Sequence, residues 1–252
     1  MSGAIDRAAV SVRAVSKAYG GVPAVDGISF ELAPGSFVAL VGPSGCGKSS
    51  LLEIMAGIRG ADRGEVVVGG RRVDRPIRSV GVMFQEDTTL PWRTVYRNVA
   101  FPLEASRRDR HEIAAKVEAA LRMVDLWEHR TMHPAALSGG MRQRVSLARV
   151  LATDPSVLLL DEPFGALDEQ LRLRLGLEVQ RICREQGRTA VLITHSIQEA
   201  VLLADRVLVL SGRPATVVQD LEVPLPDHRS ADQLGDPRVA QVVAKVWASL
   251  AY

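Results

Sequence analysis

Apolar and polar positions change rhythm along the chain. In VSVRAVSKAY (residues 10 to 19) and ISFEL (28 to 32) they approach the two-residue period of strands. The Gly20-Gly21 and Pro34-Gly35 breaks bound these runs and predict an antiparallel pair. SFVALV at 36 to 41 is continuously apolar, the pattern of a buried strand, and SSLLEIMAG after it predicts a helix closed by Gly57. EVVVGGRRV at 65 to 73 predicts a hairpin, and VGVMF at 80 to 84 another strand. From about 95 to 152 the spacing becomes helical, most clearly in DRHEIAAKVEAALRMVDL. Strands and helices then alternate: SVLLL, a helix from Asp168, TAVLIT, a helix from Ser196, and RVLVL. On the Asp168 helix, Leu171, Leu175, Val179 and Ile182 are predicted to form the core-facing stripe. The last segment, DPRVAQVVAKVWASL, has helical spacing and is expected to pack back on the body.

This alternation predicts an α/β fold with a mostly parallel core sheet and an N-terminal antiparallel β-subdomain. The helical stretch at about 95–152 reads as a subdomain inserted between two strands of one domain spanning 1–252, with a C-terminal tail from about 213. No repeat and no long linker divides the chain.

The strand SFVALV runs directly into GPSGCGKSS, residues 42 to 50. Gly42, Gly45, Gly47, Lys48 and Ser49 fit G-x-x-x-x-G-K-[ST], and the motif has its required context between strand and helix. Glycines let backbone N–H groups turn inward on phosphate, and the helix adds its positive N-terminal end. Lys48 is expected to neutralise the β- and γ-phosphates, and Ser49 to hold Mg²⁺. The whole run, including Pro43, Ser44, Cys46 and Ser50, forms the candidate ATP-phosphate site.

VLLLDEPFGALD at 157 to 168 supplies a partner. An apolar strand ends in Asp161 and Glu162, where carboxylates enter the ligand crevice of open α/β sheets. Adjacent strand side chains face opposite ways, so the two acids take different roles. Asp161 is assigned to Mg²⁺ and Glu162 to the attacking water as general base; the alternative is a pair of capping acids before Pro163.

Composition adds exclusions. With 47% hydrophobic and 24% charged residues the chain can bury a core. A net charge of +2 is too small to argue for nucleic acid as partner, and no basic run rich in aromatics suggests a surface for it. Two cysteines, Cys46 and Cys183, are too few for a disulfide framework and suit a reducing compartment. MSGAIDRAAV lacks the apolar core of a signal peptide, and nowhere do eighteen apolar residues run together, so the chain reads as cytosolic.

A second glycine pair, in LSGGMRQR at 137 to 144, opens another helix. Its free N–H groups can face an anion, but no lysine or carboxylate pair accompanies it; it is half a site. With GPSGCGKSS and DEPFGALD, in this order and covering nearly the whole chain, LSGGMRQR resembles the ATP-binding cassette (ABC) ATPases. The resemblance implies the ABC-ATPase version of the P-loop NTPase fold. It also implies that Ser138, Gly139 and Gly140 close over ATP held by another subunit, in a homodimer with two composite sites. Met141 replaces the commoner glutamine.

By the same resemblance Tyr19 stacks on adenine, although a buried strand tyrosine is the alternative. Gln85 touches Mg²⁺ and water and senses the membrane partner. Asp168 communicates across the dimer. His195 positions the water at the γ-phosphate; Ser196, where the family commonly has aspartate, is not expected to alter the chemistry, and bears only on how the His195 loop is held.

Two kinds of cassette compete: the motor of a transporter, and a soluble ATPase acting on nucleic acid or ribosomes. The compact helical segment and single cassette favour the transporter. With no membrane segment, the two permease subunits are expected as separate chains, which places this one peripherally at the cytoplasmic face of the inner membrane. EDTTLPWRTVYRNVAF at 86 to 101 resembles the coupling region of ATPases serving nitrate, sulfonate and taurine, and so does RPATVVQDLEVPLP at 213 to 226. Pro91 and Trp92 are assigned to a groove receiving a short permease helix, with an ordinary core tryptophan as the alternative. The chain stops at Tyr252, leaving no room for the regulatory domain of sugar-importer ATPases. A periplasmic or lipoprotein solute-binding protein is an indirect partner. Sulfonate or nitrate is favoured as substrate, with taurine and pyrimidine-type precursors open.

Overall fold

The computed structural model describes residues 10–105 and 109–250. Strands β1 (Val10–Tyr19) and β2 (Val22–Leu32) form the expected antiparallel pair, with Val10 opposite Leu32, but β2 starts well before ISFEL. β4 (Arg63–Val68) pairs antiparallel with β1, and the short β5 (Arg71–Arg72) completes a sheet ordered β2-β1-β4-β5.

A second sheet is built from β3 (Phe37–Val41), β6 (Val80–Met83), β7 (Val157–Asp161), β8 (Thr189–Ile193), β9 (Arg206–Leu210) and β10 (Val217–Glu222). Its order is β10-β9-β3-β8-β7-β6; every pairing is parallel except that of the edge strand β10 with β9. Thus part of the segment expected only as a tail is a strand.

The parallel strands are apolar through their middles because both faces are covered there. Phe37, Ala39, Leu158, Leu160, Ala190, Leu192, Val207 and Val209 pack into one core with the helices. The alternate residues Val38, Leu40, Val157, Leu159, Val191, Ile193, Leu208 and Leu210 pack into another with the antiparallel sheet and α1 (Lys48–Met55). The molecule is therefore layered, and each fully buried leucine or valine contributes roughly 1.5–3 kcal/mol relative to exposure.

Between β6 and β7 lie α2 (Val95–Glu104), α3 (Arg110–Met123) and α4 (Gly139–Leu151), which pack on one another. α5 (Glu169–Gln186) and α6 (Ile197–Leu203) follow as expected, with Asp168 and Ser196 as their N-caps. The buried stripe of α5 is Leu175, Val179 and Cys183; Ile182 is only partly buried. The buried face is rotated from the predicted one toward Gly176, Gln180 and Cys183, which leaves both Leu171 and Ile182 on its flank, only partly buried. α7 (Pro237–Leu250) packs against α6 through the face carrying Val239, Val242 and Val246. No helix of the described residues is long and apolar enough to cross a membrane.

Candidate ATP site

β3 delivers the chain to the phosphate loop at the carboxyl edge of the parallel sheet, the usual place for ligands of open α/β sheets. Gly47 ends the loop with φ at +126°, and a Cβ there would lie 2.5 Å from the Ala24 carbonyl oxygen. Only glycine fits that approach. Lys48 is buried, and its ammonium donates to the carbonyls of Gly42 (2.8 Å) and Pro43 (2.9 Å), which fixes its charge at the loop.

Asp161 ends β7 in the same alternation as Val157 and Leu159, on the side of α1. The Ser49 hydroxyl hydrogen-bonds to its carboxylate. Burial pushes the Asp161 pKa up, and the Ser49 bond opposes that shift. A serine hydroxyl and a buried carboxylate side by side are hard oxygen donors that fit Mg²⁺, which is commonly held by one or two protein oxygens plus phosphates. Among the described residues no group of three His, Cys, Asp or Glu forms an all-protein cage.

Glu162 does not continue the strand. Its backbone turns left-handed, with φ at +46°. The carboxylate thereby meets two other expected site residues: Gln85 Nε2 donates to Oε2 at 3.0 Å, and His195 Nδ1 lies 3.4 Å from the same oxygen. Gln85 follows β6 and His195 follows β8, so three adjacent strands converge there. The His195 loop is held despite Ser196. The Ser196 N–H donates to Thr194 Oγ1 at 3.0 Å, its hydroxyl caps α6, and the Thr194 hydroxyl donates to Glu199.

Tyr19, at the end of β1, is partly exposed, and its hydroxyl donates to Ser50 at 3.2 Å. The Arg59 guanidinium lies 5.2 Å from its ring centroid. Sequence reasoning missed Arg59, which carries no motif signal.

Ser138 caps α4 and Gly139 and Gly140 open it. The Ser138 hydroxyl accepts from Met141 N–H at 3.2 Å as the N-cap of α4, and Gly140 abuts Ala166 and Leu167. The Asp168 carboxylate accepts from Leu171 N–H at 3.0 Å, capping α5.

Trp92 is 73% exposed, which rules out the core-tryptophan alternative. A groove of about 950 Å³ runs between β6, α2 and α4, with Arg78, Thr88, Leu90, Phe101, Leu103 and Arg149 among its walls. Trp92 and Pro91 are not in those walls; they lie just beyond Leu90 in the chain. Asn98, fully buried, fixes this loop: Oδ1 accepts from Leu90 N–H at 2.7 Å, and Nδ2 faces the carbonyls of Leu90, Arg93 and Thr94 at 3.1, 3.0 and 3.1 Å. Asn98 was also missed, although a polar residue on the apolar stripe of Val95, Val99 and Leu103 was a readable signal. Arg142 joins α4 to the Gln85 loop through Asp87 at 2.6 Å.

The family model for ABC transporters matches residues 25–165, over half of the chain. The chain is 44% identical over 220 residues to the aliphatic sulfonates import ATP-binding protein SsuB 1 of Xanthomonas axonopodis pv. citri, covering 86% of this chain and 87% of that protein. It is 43% identical over 209 residues to the nitrate import ATP-binding protein NrtC of Synechococcus elongatus, covering 82% of this chain and 32% of that longer protein. Among solved structures, the dimeric post-hydrolysis state of the cassette MJ0796 bound to ADP and Pi superposes with a TM-score of 0.79 at 28% identity, covering 86% of this chain and 100% of that one. Phosphate loop, acid pair, LSGGMRQR helix and these likenesses agree: the chain belongs to the ABC transporter family, as an ATP-hydrolysing cassette.

Proposed function

We propose that this cassette works as a homodimer beneath two separate permease subunits, at the cytoplasmic face of the inner membrane, and drives import of a small anion of the aliphatic sulfonate or nitrate class. A solute-binding protein would deliver that anion to the permease. The import reading is supported by the names of the relatives, which are import proteins rather than DNA- or ribosome-acting ones. It is supported also by the exposed Trp92 beside an open groove, a shape suited to a short permease helix.

The observation that carries the hydrolytic mechanism is the meeting of Gln85 and His195 on Glu162, beside the Ser49–Asp161 pair. Glu162 takes a proton from the attacking water. The water oxygen bonds the γ-phosphorus, the bond from that phosphorus to the bridging oxygen breaks, and ADP and phosphate leave. The loop N–H groups from Ser44 to Ser50 and the Lys48 ammonium stabilise the charge on the phosphate oxygens. Gln85 and His195 orient Glu162 and the water. Ser49 and Asp161, with the Gln85 amide oxygen, would hold Mg²⁺, which supplies further charge neutralisation when bound. Tyr19 offers its ring to adenine. Ser138, Gly139 and Gly140 serve the partner's ATP, so neither site is complete in one copy.

The test is uptake of labelled alkanesulfonate, taurine, nitrate and a pyrimidine by a host lacking this gene, restored with wild type or Glu162→Gln. Return of one uptake with wild type alone is expected. Return of none would overturn the small-anion reading, and a monomeric Glu162→Gln at saturating ATP, seen by light scattering, would overturn the composite site.

A further inference from the structure

Gln143 lies on α4, just past the turn made by Ser138, Gly139 and Gly140. Both ends of its side-chain amide engage the loop that carries Glu162. Nε2 donates to the Glu162 carbonyl at 2.8 Å, and Oε1 accepts from the Ala166 N–H at 2.9 Å. Gly140 closes on the same loop, since a Cβ there would lie 3.0 Å from the Ala166 carbonyl oxygen. Arg172 braces the loop from α5, with Nη2 at 3.1 Å from the Leu167 carbonyl.

Glu162 needs such bracing. Its φ of +46° is unfavourable for a residue with a side chain and persists only where its surroundings enforce it. An amide is the group that can do this, because one end must donate to a carbonyl while the other accepts from an N–H. A glutamate would set a second acceptor against the Glu162 carbonyl, and an arginine or lysine would offer no acceptor to Ala166.

We infer that Gln143 is a positioning residue: it holds the left-handed turn at Glu162 that aims the carboxylate, and ties that aim to the start of α4. This rests on the proposed roles of Glu162 and of the Ser138–Gly140 turn. The consequence is a rigid link inside each subunit between the helix that serves the partner's ATP and the carboxylate that serves its own. A shift of α4 on meeting the partner's nucleotide is carried to Glu162 through two hydrogen bonds.

The test is steady-state ATP turnover by the purified full chain, with thermal unfolding in parallel, for Gln143→Glu, Gln143→Met and Glu162→Gln. Gln143→Glu keeps the shape and the acceptor but loses the donor; Gln143→Met keeps the bulk alone. Both are expected to lower kcat about 10- to 100-fold, the cost of a misplaced catalytic group, with the KM for ATP and the unfolding midpoint near wild type. A kcat within about twofold of wild type in both variants, where about 10- to 100-fold is the scale of misplacement, overturns the inference. So does a parallel fall of kcat, nucleotide affinity and unfolding midpoint, which marks a merely structural contact. If Glu162→Gln is inactive while the Gln143 variants are not, this inference alone fails. If Glu162→Gln turns over ATP like wild type, the general-base reading fails and takes the inference with it.

Discussion

Two adjacent acids illustrate how much one residue's backbone decides. Strand alternation predicts that Asp161 and Glu162 point different ways, yet the direction of Glu162 comes from its left-handed turn and not from the strand's pleat. The sign of φ at a non-glycine residue has no local signature in sequence. Glu199 gives a residue-scale prediction. Its Oε2 accepts from the Thr194 hydroxyl, while Oε1 is buried without a partner among the described residues. Burial pushes its pKa above the ordinary carboxylate range, opposed by the Thr194 hydrogen bond and the Arg172 charge. The folded chain then holds this proton to higher pH than the unfolded chain. The group therefore costs nothing in acid, and stability is lost as pH rises through the raised pKa. Glu199→Gln is expected to match wild type in thermal midpoint at acid pH and to exceed it increasingly toward neutrality. An equal offset at every pH would sink this account.

At the scale of elements, caps and periods were readable while packing partners were not. Asp168 and Ser196 start α5 and α6 as their side-chain chemistry predicts, each accepting a hydrogen bond from the first turn. The buried stripe of α5 takes Cys183 rather than Ile182, because what the helix packs against selects between neighbouring apolar positions. Burial also pushes the Cys183 thiol up to about 12, so it behaves as a small apolar side chain. α2 shows the stronger dependence on context. Its Asn98 sits among apolar neighbours because the Leu90–Thr94 loop brings it one donor and three carbonyls. Asn98→Ala would leave the Leu90 N–H and the Arg93 carbonyl without that partner, at about 1–3 kcal/mol in stability. Denaturant unfolding of the variant measures this, and a loss below about 0.5 kcal/mol, less than a typical net hydrogen bond, would mean that the loop is held by other contacts.

At the scale of the molecule, the site is an edge where several strands end. β3 supplies the phosphate loop, β7 the acids, β6 leads to Gln85 and β8 to His195. The order β9-β3-β8-β7-β6 brings them together although the helices α2, α3 and α4 separate β6 from β7 in sequence. Of these, α2 and α4 border the groove, beyond which Trp92 stands exposed. Little folding energy depends on a side chain so exposed. Trp92→Ala is therefore expected to leave the unfolding midpoint and ATP turnover of the isolated chain unchanged, and to lower uptake in cells. Wild-type uptake by the variant would remove Trp92 from the permease contact.

By itself the sequence determined what short-range chemistry determines. The glycine loop between strand and helix, the acids at a strand end, the helical start at Ser138 and the periods of most elements are each written in a few consecutive residues. Those residues also carried the family. Tertiary structure alone decided the strand order, the edge strand β10, the left-handed turn at Glu162, and the bridges made by Gln143 and Asn98. The physical reason is range: a period or a motif is a local property, whereas a strand's neighbour, a strained φ and a buried amide's partners are set by groups distant in the chain, which only packing brings together.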